Sequence, residues 1–87
     1  MIKLIAISVL GDARLALTFS DGSSGVWSAA DIIARDTELT RALSDASYFA
    51  RVFIEGGALA WPNGLELSGH SLHQKLDAAG QLHRQAA

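Results

Sequence analysis

Residues 58–67, Ala-Leu-Ala-Trp-Pro-Asn-Gly-Leu-Glu-Leu, constrain the fold more than any other stretch of this chain. They hold its only proline, Pro62, and the second of its two tryptophans, Trp61. Proline presets φ for position i+1 of a type I turn, and Gly64 can take the left-handed position of a bulge. With Pro62-Asn63-Gly64 as the loop, Trp61 faces Leu65 and Leu59 faces Leu67. A two-residue loop would set Leu59 against Glu66 instead. Just upstream, Gly56-Gly57 reads as a two-residue loop that pairs Ile54 with Leu59 and Val52 with Trp61. Turns read separately thus give one apolar face: Val52, Ile54, Leu59, Trp61, Leu65 and Leu67. Such agreement across levels marks a sequence that specifies its structure. It makes Trp61 a core residue and leaves Asn63 free for contact with a partner.

A first meander is expected over residues 2–27. Leu15, Leu17 and Phe19 alternate with Arg14, Ala16 and Thr18, and Ile5, Ile7 and Val9 share one side of the preceding strand. A three-residue loop, Gly11-Asp12-Ala13, pairs Val9 with Leu15, Ile7 with Leu17 and Ile5 with Phe19. Asp21-Gly22 is then the strongest short hairpin signal, because a type I′ turn needs positive φ at both central residues. That two-residue turn brings Val26 opposite Leu17 and sends Trp27 to the other face. Trp27 is therefore the expected aromatic anchor of a binding or dimer surface.

Between the meanders lies a helical segment. Ser28 with Asp31 resembles a capping box for a short helix through Ile32 and Ile33. Asp36 or Thr37 caps a second helix carrying Leu39 and Leu43, and Ser44-Asp45 breaks it before Tyr48-Phe49. Ser68 caps a last helix with Leu72, Leu76 and Ala79 inward, and Gly80 stops it. The expected fold class is α+β: two antiparallel β-meanders of about six short strands separated by a helical segment, with a C-terminal helix. One domain covers residues 1–80, and residues 81–87 form a flexible tail.

Composition narrows the function classes. Hydrophobic residues make up 49% of the chain and charged ones 18%, enough apolar material for one core. With no cysteine, disulfides, thiol nucleophiles and thiolate metal sites are excluded. The net charge is −2 and the basic residues are scattered singly, whereas phosphate-backbone binding needs them clustered. No direct nucleic-acid partner is expected. Lys3 and the apolar run 4–10 imitate the start of a signal peptide, but Gly11-Asp12 ends the run at once. No segment approaches the ~20 apolar residues of a membrane span. A cytoplasmic location and no membrane partner are the expectation.

Catalytic patterns are sparse. Gly22-Ser23-Ser24-Gly25 lacks the spacing of a nucleophile elbow, and Ser68 beside His70 is an ordinary helix cap. No phosphate-binding glycine loop occurs. The acid pairs Asp36/Glu38 and Glu55/Glu66 suit caps and turns. His70, His73 and Asp77 fall at i, i+3 and i+7 on one face of the last helix, a weak candidate set for zinc. A solvated helix face is the plainer reading. No cofactor is called for.

Leu15-x-Leu17-x-Phe19 running into Ser20-Asp21-Gly22, then Leu43-x-Asp45 with Phe49, then Trp61-Pro62-Asn63-Gly64 and Glu66-Leu67, resemble domain-of-unknown-function family 2442 over residues 5–73. The chain departs from that pattern at Trp27-Ser28, at Glu66 for aspartate and at His73 for tyrosine. The resemblance implies a small bacterial α+β domain, found alone or joined to helix-turn-helix modules. It also implies the company of another small protein, like a toxin–antitoxin pair, and no established catalytic activity. The expected function is a non-enzymatic interaction or regulatory module whose partner is another small protein or itself. The alternatives are a metal- or ligand-binding protein or enzyme using His70, His73 and Asp77, or a structural homodimer pairing through an edge strand or the Trp27 face. The binding candidates are Trp27, Asn63, His70 and His73.

Overall fold

Two three-stranded antiparallel sheets share one core in the computed structural model, which describes residues 1–84. The first is β1 (Leu4–Leu10), β2 (Arg14–Phe19) and β3 (Ser24–Ser28), paired in that order. Short helices α1 (Ala30–Ala34), α2 (Glu38–Arg41) and α3 (Ala46–Phe49) follow, with a 3-10 turn at Ala42–Ser44. The second sheet is β4 (Phe53–Glu55), β5 (Ala58–Ala60) and β6 (Glu66–Leu67), and α4 (Gly69–Ala78) closes the fold. This is the α+β arrangement of two meanders around a helical segment with a C-terminal helix.

The second meander follows its turn chemistry. Ile54 pairs with Leu59 and Leu59 with Leu67. Trp61 N–H donates to Leu65 O at 3.0 Å, and Gly64, at φ 94°, donates to Trp61 O at 3.1 Å. That is a type I turn closed by a left-handed glycine. Leu59 and Trp61 are fully buried, while Val52, Ile54, Leu65 and Leu67 pack half-buried against the core. Val52 itself lies before β4, its N–H bonded to Phe49 O, so its pairing with Trp61 does not form a ladder rung.

The first meander departs from expectation by one residue. Gly22, at φ 86°, donates to Phe19 O, and Phe19 donates to Ser23 O. The loop is therefore Ser20-Asp21-Gly22, three residues long and the same kind of turn as Pro62-Asn63-Gly64. Leu17 pairs with Gly25 and Leu15 with Trp27. A one-residue change of register moves every side chain to the opposite face. Trp27 accordingly joins the core at 7% exposure, its ring 6.4 Å from that of Trp61, and Val26 turns outward. In β1, Val9 and Ile7 meet Leu15 and Leu17 as expected, but a bulge between Leu4 and Ala6 puts Leu4, not Ile5, opposite Phe19.

Helix ends carry smaller corrections. Ala29, not Ser28, is the N-cap of α1, and Ser28 Oγ accepts from Ala30 N–H as a turn residue. Thr37 caps α2 in a reciprocal box with Thr40, Asp45 caps α3, and Ser68 caps α4. Leu43 is buried, whereas Leu39 is exposed. Leu72 and Leu76 face inward on α4, but Ala79 is exposed because the helix is already ending. Gly80 donates to Asp77 O and Gln81 to Leu76 O, the paired bonds of a Schellman stop.

Past that stop the chain turns back instead of fraying. Ser24 and His83 exchange both backbone hydrogen bonds, at 2.8 and 2.7 Å, and Leu82 packs on the core. Residues 81–84 thus add a rung to β3, against the expected tail, and residues 85–87 lie outside the described residues. Gly69 fixes the other end of α4. A Cβ there would lie 2.5 Å from Gly57 O and 2.8 Å from Leu4 N, atoms of the hydrogen bond that ties the two sheets together.

Candidate functional site

Three surface features merit comparison: a polar cluster at Asp21, an apolar groove, and the outer edge of β1. The cluster begins with turn chemistry. Asp21 Oδ1 accepts from Ser23 N–H at 3.0 Å and from the Ser23 hydroxyl, the local bonding that aspartate offers in a tight turn. Asp21 Oδ2 accepts from Arg84 Nη1 at 3.2 Å and lies 2.9 Å from His73 Nε2. The Ser23 hydroxyl, then its N–H, then His73 hold the Asp21 carboxyl well below the usual carboxylate range, with burial opposing. An ionised Asp21 only accepts, so His73 Nε2 carries the proton and donates. The His73 ring stands edge-on to Phe19 with centroids 5.1 Å apart.

This arrangement cannot run a serine nucleophile. The acid lies between serine and histidine, so the imidazole has no contact with the hydroxyl it would have to deprotonate. Ser23 is also only 1% exposed. The cluster is a clasp joining the β2–β3 turn to α4 and to Arg84.

The candidate metal set does not assemble around it. His73 turns to Asp21, Asp77 Oδ1 lies 3.8 Å from Arg84 Nη2, and His70 stays exposed. Among the described residues no three His, Asp or Glu side chains come together to hold a metal. Asn63 is likewise committed to the fold. Its Oδ1 accepts from Leu65 N–H, its Nδ2 donates to Leu39 O at 3.0 Å, and its N–H donates to the Tyr48 hydroxyl. Neither long-range link of Asp21 nor that of Asn63 has a short-range sequence signal, since the partners lie 52 and 24 residues away.

The groove, of about 590 Å³, runs between the β1–β2 hairpin and the helical segment. Val9, Leu10, Ala13, Ile33, Leu43 and Phe49 line it, with Asp12 and Ser44 at its polar margin. Asp12 and Ala13 hold positive φ at 62° and 57°, which fixes the hairpin turn as one lip. No acid, base and nucleophile converge there, so its surface offers apolar contact rather than chemistry.

β1 is the outer strand of its sheet and adjoins the groove through Val9 and Leu10. Residues of an antiparallel ladder turn their N–H and C=O alternately to the two neighbours. Phe19 gives both to the β3 side, so Leu17 and Leu15 do the same, and Thr18 and Ala16 serve β1 through Ala6 and Ser8. Ile7 and Val9 therefore direct theirs to the outside. Among the described residues, no hydrogen bond beyond the β1–β2 ladder reaches Ile5 to Leu10. Only the start of the edge is closed, where Leu4 N–H donates to Gly57 O at 2.9 Å. Ile5 is 58% exposed and Val9 46%, and the strand carries no charge. The meander reading of the sequence already makes this strand an outer one; which of its backbone groups stay uncovered could not be read there.

Among the described residues no helix is long and apolar enough to cross a membrane. No curated protein and no solved structure matches the chain. A family described as "Protein of unknown function (DUF2442)" matches residues 4–76, a span that runs from the first residue of β1 into α4. The chain belongs to the DUF2442 family.

Proposed function

We propose that this domain works by binding another protein chain, as a non-enzymatic interaction or regulatory module of the bacterial cytoplasm. The observation that carries the reading is the open, uncharged edge of β1 beside an apolar groove. Edge strands are ordinarily protected by lysine, proline, a bulge or a covering loop, because unpaired backbone groups recruit other strands. From Ile7 to Leu10 β1 has none of these. Strand addition takes its affinity from main-chain hydrogen bonds and its specificity from pockets for alternate side chains. An antitoxin-like role beside another small protein is the form this takes if the family's company extends to this chain.

Photo-cross-linking in the native cell tests the reading. A benzophenone amino acid at Val9 is expected to form a covalent adduct with a protein, whereas the same group at exposed Gln74 on α4 is not. No adduct from position 9, or equal adducts from both positions, would contradict it.

A further inference from the structure

We infer that the occupant of the β1 edge is β1 of a second copy, antiparallel and centred on Ile7, joining two three-stranded sheets into one. This deepens the interaction reading and rests on it. β1 reads Leu-Ile-Ala-Ile-Ser-Val-Leu, a near-palindrome about Ile7 in size and polarity. An antiparallel partner in that register sets Ile7 against Ile7, Ile5 against Val9, and Ala6 against Ser8. Closed two-fold assemblies use the same patch on both subunits, so a strand that mirrors itself suits a second copy. A foreign strand would ask for no such symmetry.

The backbone agrees with this register. Ile7 presents its N–H and C=O outward, so two copies exchange both bonds at the dyad. The outward groups of Val9 reach the Ile5 segment of the other copy, where the bulge between Leu4 and Ala6 ends the regular ladder. The uncharged strand brings no like charges face to face. Ile5 and Val9, the large exposed apolar residues of β1, both fall within this pairing. Val9 lines the groove, so Ile5 of the second copy arrives at the groove's lip, and each groove receives one such contact. At the Leu4 end the bulge and the Gly57 carbonyl already occupy the edge, which centres the new ladder on Ala6–Ser8, with the Ile5 and Val9 side chains meeting at its ends.

Light scattering on three versions of the full chain tests the pairing. The wild-type chain is expected to reach twice its 9.2 kDa mass as concentration rises. Ile5→Lys with Val9→Lys puts lysine opposite lysine in both halves of the ladder and should halve that mass. Both positions are exposed, so circular dichroism should stay unchanged, as should the melting temperature when both proteins are dilute enough to carry the single mass. Ile5→Lys with Val9→Glu puts lysine opposite glutamate in both halves and should recover the doubled mass at low salt.

A wild-type chain still at 9.2 kDa at about 1 mM, the weak end of measurable affinities, overturns the proposal. So does a doubled mass that survives the lysine pair, and a Lys/Glu variant that stays single overturns the register. The position-9 cross-link separates the two readings. An adduct with a different protein from a chain of single mass removes self-pairing and leaves the interaction reading standing. A single mass with no adduct removes both.

Discussion

Asp21 and Asn63 occupy equivalent places in two like turns, Ser20-Asp21-Gly22 and Pro62-Asn63-Gly64. Each accepts the backbone N–H two residues on and then reaches a helix, Asp21 through His73 on α4 and Asn63 through Leu39 O on α2. The charge makes Asp21 the pH-sensitive member. Its carboxyl titrates lower in the folded chain than in the unfolded chain, where it is near 3.9. The unfolded state then binds the proton more readily, so Asp21 adds stability at neutral pH that is lost as pH falls below about 4. Asp21→Asn is expected to melt below wild type at pH 7. The gap should narrow as pH is lowered through 4 and toward 2, and thermal scans across that range check it. An equal gap at pH 7 and pH 2 would mean that the carboxylate charge is not what holds the clasp.

At the scale of elements, turn length decided what could be read from sequence. Proline fixed the Trp61–Leu65 loop at three residues, and Val52 apart, every pairing built on it stands. Asp21-Gly22 carries no proline, and its two-residue reading reverses β3, which is why Trp27 looked like a surface anchor and proved to be core. Side-chain alternation alone could not choose, because Val26 and Trp27 are both apolar and either could face inward. The Ser24–His83 rung was equally hidden, since Leu82 and His83 follow a helix stop in a polar tail. His83→Pro removes the N–H that donates to Ser24 O and should cost about 1 kcal/mol, lowering the melting temperature by about 4–8 °C. An unchanged melting temperature would return residues 81–84 to the status of a loose tail.

The molecule as a whole is two meanders bolted together at one aromatic joint. Trp61 touches Trp27 of the first sheet and Phe49 of α3, and its Nε1–H donates to Phe49 O at 3.1 Å. Gly69 seats α4 against the Leu4–Gly57 hydrogen bond on the other side. Residues that draw the eye in the sequence, Trp61, Pro62 and the histidines of α4, are thus engaged in closing or solvating the fold. The surface that the proposed binding would use is an edge and a groove built largely from ordinary aliphatic residues. Their meaning lies in position, which alternation in the sequence cannot supply.

Amide hydrogen exchange on β1, in protein dilute enough to carry the mass of a single chain, tests that position directly. The N–H groups of Ala6 and Ser8 lie in the ladder with β2, and those of Ile7 and Val9 face outward. The expected result is slow exchange at Ala6 and Ser8 with fast exchange at Ile7 and Val9, the latter slowing as concentration rises. Protection of Ile7 and Val9 equal to that of Ala6 and Ser8 in the single chain would mean that the edge is already covered, and would contradict the account.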